Sequence, residues 1–359
     1  MFEAPNPGEQ LTWTDAVEAC SRYTYSATAT ANGVESAEVS ATEFVGVLAP
    51  APVKGIKITE AGTPGWVSLS WLPVETDIRG NELNSEYVTY RIYTAGQNST
   101  PLISDITTTS CSFEAVHNYD QQQFVRYEVV AETRGGISDF ASSDNYAIGK
   151  PYEAPYAESF AGGALTSIMA NRPTNTTNWT LQTDDGDIIA QDGDNGFLIS
   201  EGHYFEDTAS WETGKINLEN IGEPKLTFWV YALKEFFEDD MTTIAVSVKE
   251  GNKTTAVRSW VIATLPGSEG WQLVDLNLSG FAGRTIQLVF TATHDTMRYV
   301  MMDNVKLFDG NETAIGDIVP DRDNSAPVEY YNLQGVRVVN PTSGVYIRRQ
   351  GNTVTKIVM

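Results

Sequence analysis

The sequence predicts an all-β, multidomain chain, and three observations carry that prediction. Apolar residues alternate with period two through most of its length, as half-buried strands require. Gly, Pro and Asn-Gly pairs interrupt the alternation at short intervals, which is the chemistry of tight turns. At 359 residues the chain has the length of two or three domains, each able to close a core. One window departs from the pattern: Trp229, Ala232, Leu233, Phe236 and Phe237 also fit helical spacing, so a short helix within Trp229–Met241 is the alternative there.

Charge narrows the partners. With 23 basic and 47 acidic residues the net charge is −24 and the pI about 4.4. Such a field repels phosphate backbones and anionic membrane surfaces, so nucleic acid is excluded as an expected partner. No apolar run is long enough for a transmembrane helix. The amino end, MFEAPNPGEQLTW, lacks a basic and apolar leader, and a longer precursor is the expectation. Cys20 and Cys111 fall in different predicted domains and are expected to be small buried hydrophobes, unpaired by a disulfide.

Residues 1–46 hold the end of a repeated unit. Tyr25, Ala27, Ala29, Gly33 and Ser36 stand at the spacings of Tyr127, Val129, Ala131, Gly135 and Ser138. Only the last strands of such a unit fit into 46 residues, so its first strands are expected upstream of Met1. Residues 50–148 contain the whole unit. Val67, Leu69 and Trp71 alternate inward on one strand, Val88, Tyr90 and Ile92 on a second, and Val125, Tyr127, Val129 and Ala131 on a third. Trp71, Tyr90 and Tyr127 together resemble a fibronectin type III domain. That resemblance implies a two-sheet sandwich in which Trp71 fills the core and Tyr127 makes the tyrosine corner.

Residues 152–309 carry longer strands and five tryptophans: Trp179, Trp211, Trp229, Trp260 and Trp271. The order E-S-F (Glu158–Phe160), N-W (Asn178, Trp179), L-x-F-W (Leu226–Trp229), G-W (Gly270, Trp271) and D-x-V (Asp303–Val305) resembles a jelly-roll of the MAM and cleaved-adhesin group. The paired cysteines of animal MAM domains are missing, which favours the bacterial adhesin branch. An acidic linker, 310–324, leads to a closing block at 325–359. There VEYYNLQGVRVVNPTSGVYIRRQGNTVTKIVM forms three β-type runs, with turns at Leu333-Gln334-Gly335 and Gly351-Asn352. Tyr331, Asn332, Leu333, Gln334, Gly335, Gly344, Tyr346 and Lys356 resemble the C-terminal sorting domain of the type IX secretion system of Bacteroidetes. The resemblance implies export to the extracellular space or cell surface by that machinery.

Two carboxylates are the leading metal candidates. Glu158 shares strand parity with Tyr156 and Phe160, and Asp303 with Met301, Val305 and Leu307, so both point at apolar faces, where an isolated charge costs several kcal/mol. If the first and last strands are neighbours, as in the resembling family, the two converge and a hard cation relieves their repulsion. Calcium (Ca2+) fits, because it takes six to eight oxygens in irregular loops. Asp184, Asp185 and Asp187, with Asp192 and Asp194, are the further ligand candidates, although their spacing is not that of an EF-hand. The plainer alternative is that they are turn residues. Glu235–Asp240 reads as a solvated acidic loop.

For ligand binding, Trp211, Tyr204 and Phe205 lie beside the acidic loops, where exposed rings would stack on a sugar or a protein partner. The competing reading places the tryptophans in the core. His117, His203 and His294 lie in unlike contexts, and no nucleophile elbow, zinc motif or dinucleotide fingerprint occurs, so no enzyme activity is expected of these residues. The sequence thus reads as a non-catalytic adhesion or binding region for carbohydrate or a host or matrix protein. The alternative is an accessory and export region of a secreted hydrolase whose catalytic domain lies upstream of Met1.

Overall fold

The computed structural model describes residues 9–15, 21–46, 48–84, 87–184, 186, 188–202, 206–232, 241–267, 269–295, 299–311, 328–332, 337–339, 341, 345–350 and 353–358. Every regular element among them is a strand or a single turn of 3-10 helix.

Near the amino end, strands Ser21–Ala27 and Val39–Val45 pair antiparallel, with Tyr25 opposite Ala41. The tip turns on Asn32 and Gly33, at φ of 51° and 78°, the left-handed pair that an Asn-Gly hairpin turn demands. The repeat is reproduced bond for bond. Ala29 N donates to Ser36 Oγ, Ser36 N to Ala29 O, and Ser36 Oγ to Ala37 O; Ala131, Ser138 and Asp139 make the same three bonds. Burial separates the copies. Ala27 and Ala29 are exposed, whereas Val129 and Ala131 are fully buried.

The second copy belongs to a sandwich. Lys54–Glu60, Trp66–Leu72 and Ser110–Glu114 form one sheet; Tyr127–Thr133, Thr89–Thr94 and Ile103–Ile106, with short strands at Gly136–Ile137 and Ala141–Ser142, form the other. Val67, Leu69, Trp71, Val88, Tyr90, Ile92, Tyr127, Val129 and Ala131 are buried between them, and Trp71 meets Tyr90 edge-on at 5.2 Å. The expected tyrosine corner differs. The Tyr90 hydroxyl, not that of Tyr127, takes a backbone bond, from Val74 N at 3.1 Å. Tyr127 packs edge-on against Phe113 instead, and burial pushes its hydroxyl up to about 12. Cys111 is a free, half-buried thiol; Cys20 lies outside the described residues.

Three residues, 149–151, lead from the sandwich into the jelly-roll. Its sheets have seven and six strands, and Phe160, Trp179, Leu198, Phe228 and Phe290 fill the space between them. Strand Pro224–Ala232 alternates strictly between buried and half-buried residues, so Trp229–Ala232 follows period two and not the helical alternative. Leu233–Asp240 lies outside the described residues. The strand that carries Glu158, Tyr156–Glu158, does pair with the last one: Tyr156 lies opposite Leu307 and Glu158 opposite Val305.

That last strand, Tyr299–Asp309, contains the feature that the alternation hides. Between Thr227↔Lys306 and Trp229↔Asp303 the register slips by one residue, and Asn304 sits at φ 54°. This is a β-bulge, and it resets parity. Val300 and Met302 on one side, and Val305 and Leu307 on the other, all reach the main core, whereas Met301 belongs to a separate cluster with Phe197 and Ala190. Asp303 therefore shares a face with Met301 but not with Val305 and Leu307.

At the carboxyl end, Arg337–Val338, Val328–Tyr331, Val345–Gln350 and Thr353–Val358 form one antiparallel sheet in that order. The expected linker beyond Asn311 and the turn at 333–335 lie outside the described residues.

Candidate functional site

Glu158 is 1% exposed, and its burial is compensated by hydrogen bonds. The chain leaves the strand Tyr156–Glu158, turns through Ala161–Gly163 and returns so that Thr166 and Ser167 aim at the carboxylate. Phe160 N donates to Oε1 at 3.3 Å; Thr166 N, Thr166 Oγ1, Ser167 N and Ser167 Oγ donate to Oε2 at 2.8–2.9 Å. Five donors satisfy one charge without a metal.

Asp303 is fully buried and poorly served. Gln191 N donates to Oδ2 at 2.7 Å, while Oδ1 has no hydrogen-bond partner. Burial, followed by the charges of Asp192 and Asp194, raises its carboxyl from the ordinary range to about 7, against backbone bonds from Gln191 and Asn304. The opposing loop, 184–196, supplies those charges. Asp194 has a buried Oδ1 without a partner as well, and burial raises its carboxyl, opposed by a bond from Ser159 and helped by Asp192. Asn304 Nδ2 ties the loop down through Gln191 Oε1 and Asp192 Oδ2, each at 3.1 Å.

The expected convergence of Glu158 and Asp303 is corrected by this geometry: the bulge turns Asp303 toward the loop while Glu158 stays beside Val305. Asp184 braces the loop, accepting from Ala190 N at 2.8 Å, with its own N–H donating to Asn195 Oδ1. Asp185 and Asp187 lie outside the described residues. Among the described residues no three His, Cys, Asp or Glu side chains stand together as a ready metal-binding group. The donor chemistry of Asp303 and Asp194 nonetheless fits a hard cation, because two buried carboxylate oxygens lack donors.

The same loop borders an aromatic surface that sequence reasoning missed. On strand Pro224–Ala232 the even members Leu226, Phe228 and Val230 fill the core, so Trp229 and Tyr231 face outward. Register sets Trp229 opposite Leu273 and Tyr231 opposite Trp271. Tyr231 and Trp271 meet edge-on at 5.3 Å, and Trp271 Nε1 donates to Ile189 O in the loop at 2.8 Å. Leu273 and Tyr299 are 52% and 44% exposed. Tyr231 and Trp271 pack partly against the small cluster of Ala190, Phe197 and Met301, so Leu273 and Tyr299 are the exposed apolar members of this face.

The aromatic expectation needs correction at Trp211. It is buried in the middle of strand Asp207–Thr213, opposite Phe290, and belongs to the core. Tyr204 and Phe205 lie outside the described residues, as does His203. His294 is fully buried against Ser200 Oγ at 2.9 Å, and His117 is exposed beside Glu114. No helix among the described residues is long and apolar enough to cross a membrane.

No protein-family model matches the chain, and no curated protein matches it. Solved structures are similar to part of it. The K1 cleaved adhesin domain of Lys-gingipain from Porphyromonas gingivalis W83 is 23% identical, with 43% of this chain and 97% of that chain covered and a TM-score of 0.34. The K3 cleaved adhesin domain of the same protein is 18% identical over 43% and 98%, at 0.33. TmCBM61, solved with beta-1,4-galactotriose, is 14% identical over 42% and 94%, at 0.31.

Proposed function

We propose that the jelly-roll is a non-catalytic binding module for carbohydrate, carried on a fibronectin type III-like spacer in a secreted or surface-attached protein. The observation that carries this reading is the outward aromatic face of Trp229, Tyr231, Trp271, Leu273 and Tyr299. Flat rings beside a few polar groups suit the C–H faces and hydroxyls of a sugar chain. Glu201, whose hydrogen bond and then charge raise the Tyr299 hydroxyl, and Thr227 are polar groups on that face. Calcium would sit between Asp303 and Asp194, supplying positive charge to two starved oxygens and pinning the loop that edges the face. In this reading the closing sheet serves type IX export.

The test is a glycan and matrix-protein array probed with the full chain. A retained glycan should lose at least about tenfold affinity, about 1.4 kcal/mol, on Leu273→Asp or Tyr299→Ser. Both side chains are exposed, so the fold is spared. Retention of a matrix protein alone would move the partner to protein. Glycan binding that ignores both substitutions would remove the aromatic face from the account.

A further inference from the structure

The junction between the two sandwiches has almost no slack. Strand Tyr146–Ile148 ends the first, and Tyr152–Glu153 already pairs with Ile216–Asn217 of the second. Gly149, at φ +120°, passes so close that a Cβ would lie 2.5 Å from Gln121 O. Lys150 N donates to Tyr119 O at 2.7 Å, and Tyr152 N to Lys215 O at 2.9 Å.

Around this short passage the two bodies are joined at separate points. The Gln122 amide clasps the backbone of Lys215, with Nε2 donating to its O at 2.9 Å and Oε1 accepting from its N at 2.7 Å. Asn145 Nδ2 donates to Asn171 O at 2.9 Å. Lys249 Nζ, 3% exposed as a residue, donates to Asn145 O at 2.8 Å and to Glu212 Oε2 at 2.9 Å. At another point Asn252 Nδ2 donates to Ile58 O at 2.8 Å, and Lys215 pairs with Glu60.

Each bond alone adds little, since water would replace it on opening. Their arrangement matters more. A joint held at one point turns about that point, and a polar joint with a loose linker moves by default. Here the contacts on the first body come from three separate segments: the end of strand Lys54–Glu60 and the loops at Tyr119–Gln122 and Asn145. The buried Lys249 ammonium, neutralised within the jelly-roll by Glu212, reaches across to Asn145 O, so sliding would leave one of its buried N–H groups without an acceptor.

We infer that residues 50–309 are one rigid arm, in which the first sandwich holds the jelly-roll at a fixed angle through this polar clasp. The inference stands whatever the jelly-roll binds. It assigns Gln122, Asn145, Lys249 and Asn252 a positioning role that their polar character alone would not suggest.

Spin labels test it in the full chain, at Leu102→Cys and Leu273→Cys in a Cys20→Ser, Cys111→Ser background, with the distance distribution read by pulsed electron resonance. One narrow distance is expected, and Gln122→Ala with Asn145→Ala should broaden it. Should that pair fail to fold, Asn252→Ala, at an exposed contact, is the milder arm and should broaden the distribution less. A broad distribution with the joint unaltered overturns the inference outright. Variants that fold and stay as narrow as the parent overturn the assignment of rigidity to these residues.

Discussion

Glu158 and Asp303 are buried carboxylates on neighbouring strands, yet their surroundings are opposites. The first is enclosed by five donors from one turn of its own chain, and the second meets only the backbone N–H groups of Gln191 and Asn304 and faces two other acids. The contrast teaches that burial does not define an ion site. What matters is whether the fold has already answered the charge.

The largest effect that would break this comparison lies at Glu158. Glu158→Ala strands three backbone N–H groups and two hydroxyls, and should cost about 3–5 kcal/mol. Calorimetry of the full chain should show the jelly-roll transition falling by roughly 10 °C. A loss no greater than that of an exposed acid would mean that the donors do not hold the charge.

Next comes the pH dependence. The folded carboxyl of Asp303 is raised to about 7, above its unfolded value near 4, so between those values the folded state keeps a proton that the unfolded state has lost. Stability in chelator should therefore fall as pH rises from about 4 to about 7 and level off above, by on the order of 4 kcal/mol. Asp303→Asn removes the ionisation while keeping an acceptor for Gln191 N, and should flatten the profile. Urea unfolding across that range checks both; an Asp303→Asn chain weaker than its parent at pH 8 in chelator would sink the idea.

The smallest effect sharpens the same contrast. At pH 8, calcium at about a hundred times its dissociation constant should stabilise the parent by about 2.7 kcal/mol. Asp303→Asn should lose that gain and Asp184→Asn should keep most of it. An equal response in all three would place any ion elsewhere.

Much of the fold was legible because alternation is local. Trp71, Tyr90 and Val129 reach the core at the parity their strands predict, and Asn32-Gly33 turns as its chemistry demands. The base of the hairpin forms the same two side-chain bonds and one backbone bond with or without a core beneath, so that bonding is local while burial is not. Parity failed at Asp303, because the bulge at Asn304 depends on pairing with a strand some seventy-five residues away. Proximity misled at Trp211, since an acidic neighbourhood in sequence says nothing about which face of a strand a ring takes. The clasp was invisible for the same reason: Gln122 and Asn145 on the first body meet Lys215, Asn171 and Lys249 on the second only when the two are laid together.

Tyr156 lies opposite Leu307, on an early strand and the last strand of the jelly-roll, which run in opposite directions. The polypeptide thus enters and leaves the jelly-roll at the same end, and the domain hangs from the chain as a pendant lobe. The path from the first sandwich to the residues after Asp309 is short-circuited at that rung. Excising, duplicating or exchanging the lobe would leave the remaining contour almost unchanged, which makes it the interchangeable head of the molecule.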